Sequence, residues 1–172
     1  MNIIIQLIGG LGILSSIISF QCKKHNFVLV FRTLNEFLFA IQYFLLGAYT
    51  GMAMNLVGCV RNIIFTKQVS EHKNTTGGII LFSILFTIFG IVTWQGPKSV
   101  LIIVAKVLST LAYGNENTSF VRKTILITST SWLIYNSLVF SIAGVLCEVF
   151  TLASIIVGII RLDIFPLIKK KK

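Results

Sequence analysis

The chain has 172 residues, of which 55% are hydrophobic and 12% are charged, and its formal net charge is +10. Soluble domains carry about 25% charged residues, so this composition excludes a soluble domain with a normally polar surface. The positive charges stand at the ends of apolar runs rather than along one face, which argues against a nucleic-acid surface.

Seven apolar runs follow one another along the chain, at residues 3–20, 27–46, 50–66, 78–94, 97–113, 121–139 and 142–160. Each is close to the length of about 20 residues that a helix needs to cross a bilayer. Helices are required because lipid cannot hydrogen-bond an open backbone. We therefore predict an all-α polytopic membrane protein. Its predicted parts are a first triple-helix bundle (1–66), a cytoplasmic link and linker helix (67–96), a second triple-helix bundle (97–163) and a basic cytoplasmic tail (164–172).

The basic residues alternate between the two ends of these runs. The links after runs 1, 3 and 5 and the tail are basic; they hold Lys23, Lys24, Lys67, Lys73, Arg122, Lys123, Arg161 and Lys169 to Lys172, with Arg61 at the end of run 3. The links after runs 2 and 6 hold no Lys or Arg, and the one after run 4 holds Lys98. By the positive-inside rule, the N-terminus lies outside and the C-terminus lies in the cytoplasm.

Runs 1–3 and runs 5–7 have the same layout. A shift of 93 residues aligns their links without a gap and pairs Gly51 with Gly144, Phe39 with Trp132, and Asn55 with Glu148. Both triplets enter from outside and finish inside, so run 4 separates two parallel repeats. Transporters built from parallel repeats hold their sites near the midplane, at the repeat interface.

Charged residues inside the runs require partners. Arg32 and Glu36 are one helical turn apart on run 2, and Lys106 has apolar neighbours on both sides in run 5. A bare ammonium in hydrocarbon is costly, and only Glu36 and Glu148 lie deep enough to pair with it. We predict a buried charge network of Arg32, Glu36 and Lys106. Two interpretations stay open, an ion pair that fixes packing and a substrate or ion pathway.

Run 3 carries a stripe of small and amide residues. Gly51, Asn55, Gly58 and Asn62 fall on one side of the predicted helix. Small residues let helices approach closely and Asn can hydrogen-bond across them, so close packing is the simplest interpretation of the glycines.

Two stretches resemble a known family. They are LNEFLFAIQYFLLGAYTGMAMNLVGCVRNIIF, residues 34–65, and WLIYNSLVFSIAGVLCEVFTLASIIVGIIRLD, residues 132–163. Both look like the YgjV family of bacterial inner-membrane proteins, and the resemblance implies a multi-pass protein of the inner membrane. The 3-1-3 layout is more distantly similar to the SWEET and PQ-loop transporters, whose two triple-helix bundles enclose a small-molecule pocket. This chain has no Pro-Gln pair in run 1 or run 5, because its two prolines are Pro97 and Pro166.

The resemblance to those transporters implies that residues 55 and 148 face a pocket. Asn55 and Glu148 are the expected polar groups, Phe39 and Trp132 offer flat apolar surfaces, and Gln42 and Asn136 complete the predicted substrate-binding set. Because Glu148 is an acid and Asn55 is neutral, we expect the pocket to favour a cationic or hydroxyl-rich solute over an anion.

We predict a small-solute transporter; the alternative is a non-transporting membrane scaffold or sensor of the same fold. His25, His72 and the three cysteines, Cys22, Cys59 and Cys147, form no catalytic or metal-binding pattern, so we expect neither an enzyme nor a cofactor. The expected partners are the lipid bilayer and a small polar solute, and a homo-oligomer stays open.

Overall fold

The structure is a computed structural model and describes residues 3–21, 25–71, 73–115, 118–160 and 164. Within these residues the chain forms seven α-helices and no strand. The helices are α1 (Ile3–Gln21), α2 (His25–Leu45), α3 (Tyr49–Ser70), α4 (Thr76–Val92), α5 (Lys98–Tyr113), α6 (Thr118–Leu138) and α7 (Ile142–Ile159).

Each helix covers one of the predicted apolar runs. The largest difference is at α3, which continues to Ser70 instead of ending near residue 66. Several residues named in the sequence analysis lie outside the described part of the chain: Cys22, Lys23, Lys24, His72, Arg161, Pro166 and Lys169 to Lys172.

The second helix triplet repeats the first at a spacing of 93 residues. Helices α2 and α6 begin at residues 25 and 118, and α3 and α7 begin at residues 49 and 142, so both pairs are separated by 93. Helices α2 and α6 are also equally long, with 21 residues each. The repeat that was inferred from the layout of the links therefore extends to the starts of these two helix pairs.

The turns after α2 and α6 have the same backbone geometry. Gly47 and Phe140, again 93 residues apart, both have a left-handed backbone, with φ of +68° and +56°. In each turn the next N–H donates to the carbonyl five residues earlier: Ala48 to Tyr43 at 2.8 Å, and Ser141 to Asn136 at 3.0 Å. This is the Schellman arrangement that ends a helix and satisfies its last carbonyls.

Six of the helices form a closed ring of contacts. Helix α2 packs against α1 and α3, and α6 packs against α5 and α7. The two triplets meet through α1 with α7 and α3 with α5, which are equivalent pairs under the 93-residue repeat. Helix α4 packs against α3 and α5, where the rings of Phe82 and Phe65 meet edge to face with centroids 5.6 Å apart.

Many polar side chains are buried in this fold, and many large apolar side chains are exposed. Gln42, Thr50, Arg61, Ser99 and Asn136 are almost completely buried. Large apolar side chains cover the outside of every described helix. A soluble protein keeps its charges on the surface, so this distribution is the one expected of a helix bundle in lipid.

By length and composition, one of the described helices is long and apolar enough to cross a membrane. It is α7, with a mean hydropathy of 2.3 over Ile142–Ile159. Ile3–Ile18 and Thr76–Val92 are shorter apolar helices. The inward-facing polar side chains of α2, α3, α5 and α6 lower the mean hydropathy of those helices.

The link after α3 is polar and exposed. Its Lys73 ammonium lies 2.5 Å from the Glu71 carboxylate, and this hydrogen bond lowers the pKa of Glu71 below its ordinary value. The Thr75 hydroxyl donates to the carbonyl of Gly114 at 2.7 Å, which holds the start of α4 beside the end of α5.

Candidate functional site

A polar cavity of about 100 Å³ is lined by side chains from all six helices of the ring. Five of the six predicted substrate-binding residues line it: Phe39, Asn55, Trp132, Asn136 and Glu148. The three members of the predicted charge network, Arg32, Glu36 and Lys106, line it as well. Gln42 does not, and its different position is described below.

Glu36 joins two cations at this cavity. Its Oε2 lies 3.3 Å from Lys106 Nζ, and its Oε1 lies 3.5 Å from Arg61 Nη2. The two cationic side chains are only 5% and 1% exposed. Charges this well shielded from water are stable only when they are paired, so the cluster holds α2, α3 and α5 together. Of the two acids open to Lys106 in the sequence, the structure places Glu36 against it.

Gly58, on α3, provides the space for this ion pair. A Cβ atom at this position would overlap the Glu36 carboxylate and would lie 2.8 Å from Lys106 Nζ. The glycines of α3 were interpreted as positions of close helix packing. At Gly58 the approaching group is the charged cluster, and at Gly51 it is the ring of Tyr135, whose hydroxyl would lie 2.9 Å from an added Cβ.

Arg61 is the residue of the cluster that the sequence analysis did not identify, because it was assigned to the basic cytoplasmic end of run 3. It is 1% exposed, and each of its five N–H groups has an acceptor. Nη1 donates to the hydroxyls of Ser109 at 3.0 Å and Thr110 at 3.1 Å. Nη2 donates to Glu36 and Asn62, and Nε donates to Asn62. Arg61 is therefore fully occupied by protein groups.

Tyr113, at the end of α5, contacts two guanidinium groups. Its ring centroid lies 4.8 Å from Arg61 Cζ and 5.9 Å from Arg32 Cζ. Arg32 Nη1 also donates to the Tyr113 hydroxyl at 3.2 Å. A cation over an aromatic face is worth about 0.5–2 kcal/mol, so this ring stabilises positive charge at its end of the cavity.

Aromatic rings form one wall of the cavity. Tyr43 stacks on Trp132 with centroids 6.0 Å apart and ring planes inclined by 23°. Phe39 packs on Tyr43 with centroids also 6.0 Å apart. The Lys106 ammonium lies 5.3 Å from the Trp132 ring, so it is held between an acid and an indole face.

Hydrogen-bonded side chains close the cavity at the end that carries the α2–α3 and α6–α7 turns. All of the donors and acceptors in this layer except Gln6 and Gly51 come from residues that are 2% exposed or less. The bonds are Tyr43 to Asn136 at 2.5 Å, Ser141 to Gln42 at 3.0 Å, Gln42 to Gln6 at 3.3 Å, and the Gly51 N–H to the Tyr135 hydroxyl at 3.1 Å. Gln42 thus belongs to this closing layer rather than to the cavity lining.

The opposite end of the cavity is less enclosed. Ser16, Arg32, Tyr113 and Thr151 line it there and are partly exposed. The hydrogen-bonded layer is therefore the more buried end of the cavity.

Asn55 and Glu148 line the cavity from α3 and α7. Asn55 is 6% exposed, and its side-chain amide has no hydrogen-bond partner among the residues that the structure describes. Glu148 is partly buried, and Ser129 on α6 lies within hydrogen-bonding reach of its carboxyl group. The two positions related by the 93-residue repeat thus present an amide and an acid to the same cavity.

The described part of the chain contains no group of three or more His, Cys, Asp or Glu side chains that could hold a metal ion. Cys59 and Cys147 are free thiols. Cys147 lines the cavity, whereas the Cys59 thiol points to the carbonyl of Thr33 at 3.5 Å.

The family model of Imp-YgjV, described as a bacterial inner membrane protein, matches residues 3–164. The matched range contains all seven described helices and every residue of the cavity lining. No curated protein sequence and no solved structure matches the chain.

Proposed function

The chain belongs to the YgjV family of bacterial inner-membrane proteins, and from this premise we propose that it is a multi-pass small-solute transporter. The observation that carries the proposal is a polar cavity lined by six helices, with a layer of buried, hydrogen-bonded side chains at one end. In the proposed architecture two parallel triple-helix bundles face each other across this cavity, and α4 links them. The N-terminus lies outside and the C-terminus lies in the cytoplasm.

The 93-residue repeat supports the two-bundle architecture. The starts of α2 and α6, the starts of α3 and α7, and the geometry of the turns between them recur at this spacing. The contacts between the triplets are also equivalent pairs. Because α4 adds a single crossing between them, the triplets run in the same direction. This layout resembles the SWEET and PQ-loop transporters, in which two such bundles enclose a solute.

The closing layer supports alternating access. Its bonds join neutral groups, and such hydrogen bonds are worth about 0.5–1.5 kcal/mol each. The charged cluster of Glu36, Arg61 and Lys106 is much harder to break. We therefore assign the moving gate to Tyr43, Asn136, Gln42 and their partners, and the fixed framework to the charged cluster.

The alternative is a membrane scaffold or sensor that does not transport. Two features favour this alternative because both are expected of a rigid bundle. Every N–H donor of Arg61 is hydrogen-bonded within the protein, and α1 and α5 contain no Pro-Gln pair. The two functions differ in one measurable property. A transporter exposes its cavity to each side of the membrane in turn, and a scaffold does not.

Cys147 provides a native probe of this difference. With Cys22 and Cys59 replaced by Ser, Cys147 is the single thiol of the chain and lines the cavity. A small membrane-impermeant thiol reagent should label it in both right-side-out and inside-out vesicles. The matched control keeps Cys59 alone, which lies outside the lining and should remain unlabelled. Labelling of Cys147 from one side only, or from neither, would favour the scaffold.

A further inference from the structure

We propose that the cavity binds a small organic monocarboxylate, with the carboxylate held between the Lys106 ammonium and the Asn55 amide. This inference rests on the proposed transporter function and names its solute class. It replaces the expectation of a cationic or hydroxyl-rich solute, which considered Glu148 and did not include Arg61 among the groups at the cavity.

Cations outnumber acids around the cavity. Its charged lining groups are Arg32, Glu36, Arg61, Lys106 and Glu148, and α1 and α6 contribute none. With all five ionised, three positive and two negative charges leave an excess of +1. An uncompensated charge in a low-dielectric interior is strongly unfavourable, and one bound monoanion would neutralise the set.

Lys106 has unused donors at this position. An ammonium group has three N–H donors, and the described residues offer it Glu36 as its ion-pair partner. Its other close neighbours are the aromatic faces of Trp132 and Phe86, at 5.3 and 5.9 Å, which stabilise the charge but accept no conventional hydrogen bond. Arg61, by contrast, uses all of its donors, so the anion is assigned to Lys106.

Asn55 supplies a second donor beside it. Asn55 is 6% exposed and lines the cavity, and its amide makes no hydrogen bond within the described part of the chain. A Cβ at Gly58 would lie 2.8 Å from Lys106 Nζ, and Asn55 precedes Gly58 by one turn of the same helix. The ammonium and the amide therefore approach the cavity from neighbouring positions, where a carboxylate could accept from both.

The walls indicate a small organic anion rather than a large or strongly hydrated one. Trp132, Tyr43 and Phe39 offer apolar faces for a short carbon chain, and the cavity of about 100 Å³ has room for only a few heavy atoms. Glu148 lines the same cavity and would repel a second negative charge. A monocarboxylate of two to four carbons meets these conditions.

Trp132 can report the charge preference directly. The chain has two tryptophans, so the Trp94→Phe variant leaves Trp132, beside Lys106, as the single indole. Its fluorescence is quenched in a non-ionic detergent with iodide, caesium and neutral acrylamide at constant ionic strength. A positive cavity concentrates anions, so the iodide-to-caesium ratio of quenching slopes should exceed that of free N-acetyltryptophanamide by about tenfold. Lactate should protect Trp132 from iodide, and an equal concentration of the cation choline should not.

Matched variants locate the effect. Lys106→Met should bring the iodide-to-caesium ratio close to the reference value. Lys98→Met, at the start of the same helix and outside the lining, should leave this ratio unchanged. Asn55→Ala keeps both cations of the cluster and should weaken lactate protection, which tests the site even if the Lys106 variant does not fold.

The outcomes separate the two proposals. If acrylamide quenches Trp132 but the iodide-to-caesium ratio is at or below the reference value, the anion site is wrong. The proposal of a transporter cavity would then still hold. Lactate protection that survives both Lys106→Met and Asn55→Ala would also overturn the site. If none of the three quenchers reaches Trp132, the cavity is closed to solutes, and the proposed function fails together with the inference.

Discussion

Arg61 and Lys106 share one acid, so removing the acid should cost more than removing one cation. Glu36→Gln leaves two nearly buried cations facing each other without a counter-charge, and we expect it to cost about 3–5 kcal/mol of folding stability. Lys106→Met leaves Glu36 paired with Arg61 and should cost less. The double variant Glu36→Gln, Lys106→Met should be more stable than Glu36→Gln alone. Melting temperatures in a mild detergent measure this order.

The exposed pair of Glu71 and Lys73 is the matched control. It is an acid–lysine contact of similar chemistry outside the helices, and exposed pairs contribute little. Glu71→Gln should therefore leave the melting temperature unchanged. A double variant no more stable than Glu36→Gln would contradict the shared-acid arrangement.

The sequence predicted the positions and partners of some residues better than those of others. Lys106 has apolar neighbours on both sides, and a lone ammonium in hydrocarbon needs an acid, so its pairing could be predicted from chemistry alone. Arg61 lies near the end of an apolar run, where a cation normally reaches the membrane surface. The three apolar residues at 63–65, which follow Arg61 and precede Lys67, indicate that α3 continues beyond Arg61. Gln42 shares a helix side with Phe39, and only its tertiary bonds to Gln6 and Ser141 show that it closes the cavity instead of lining it.

The turn after α2 depends on the backbone freedom of Gly47. Its φ of +68° is in the left-handed region, where a side chain costs roughly 1–2 kcal/mol. An added Cβ would meet no atom within 4 Å, so a loss of stability in Gly47→Ala would come from the backbone and not from a clash. We expect a lower melting temperature in detergent for this variant.

Gly10, inside α1, is the matched control for the turn. A Cβ there also meets nothing within 4 Å, but the backbone is helical, where Ala is favoured over Gly by roughly 0.5–1 kcal/mol. Gly10→Ala should therefore leave the melting temperature unchanged or raise it. If both variants lose stability equally, the left-handed turn is not the cause.

At the scale of helices, hydropathy predicted the number of elements and their approximate positions. The end of α3 was less predictable, because polar residues such as Lys67 and Gln68 continue this helix beyond its apolar run. The equal spacing of the turns was visible in the links, but the shared left-handed geometry was not, because one turn uses Gly47 and the other uses Phe140. A backbone conformation set by tertiary packing can recur without the residue that most favours it.

In the whole molecule, the charged cluster and the neutral hydrogen-bonded layer lie at different depths along the helices. The charged cluster lies at the middle of α2, α3 and α5, and the neutral layer lies beside the turns. Under the proposed topology, these turns face outside and the partly exposed end of the cavity faces the cytoplasm. We therefore expect this state to be closed to the outside, with solute entering or leaving from the cytoplasmic side.

This orientation predicts the outcome of reporter fusions. Lys73, in the link after α3, and Lys67 and Lys123, in the adjacent ends of α3 and α6, belong to one end of the helix ring. The positive-inside rule places that end in the cytoplasm. Alkaline phosphatase should be active when fused after residue 48 or after residue 141, and a fluorescent protein should fold when fused after residue 75. Residues 48 and 141 are 93 apart, so parallel repeats require them to report the same side. Opposite sides for 48 and 141 would refute the parallel repeats, whereas a complete inversion of all three would refute the orientation and leave the repeats intact.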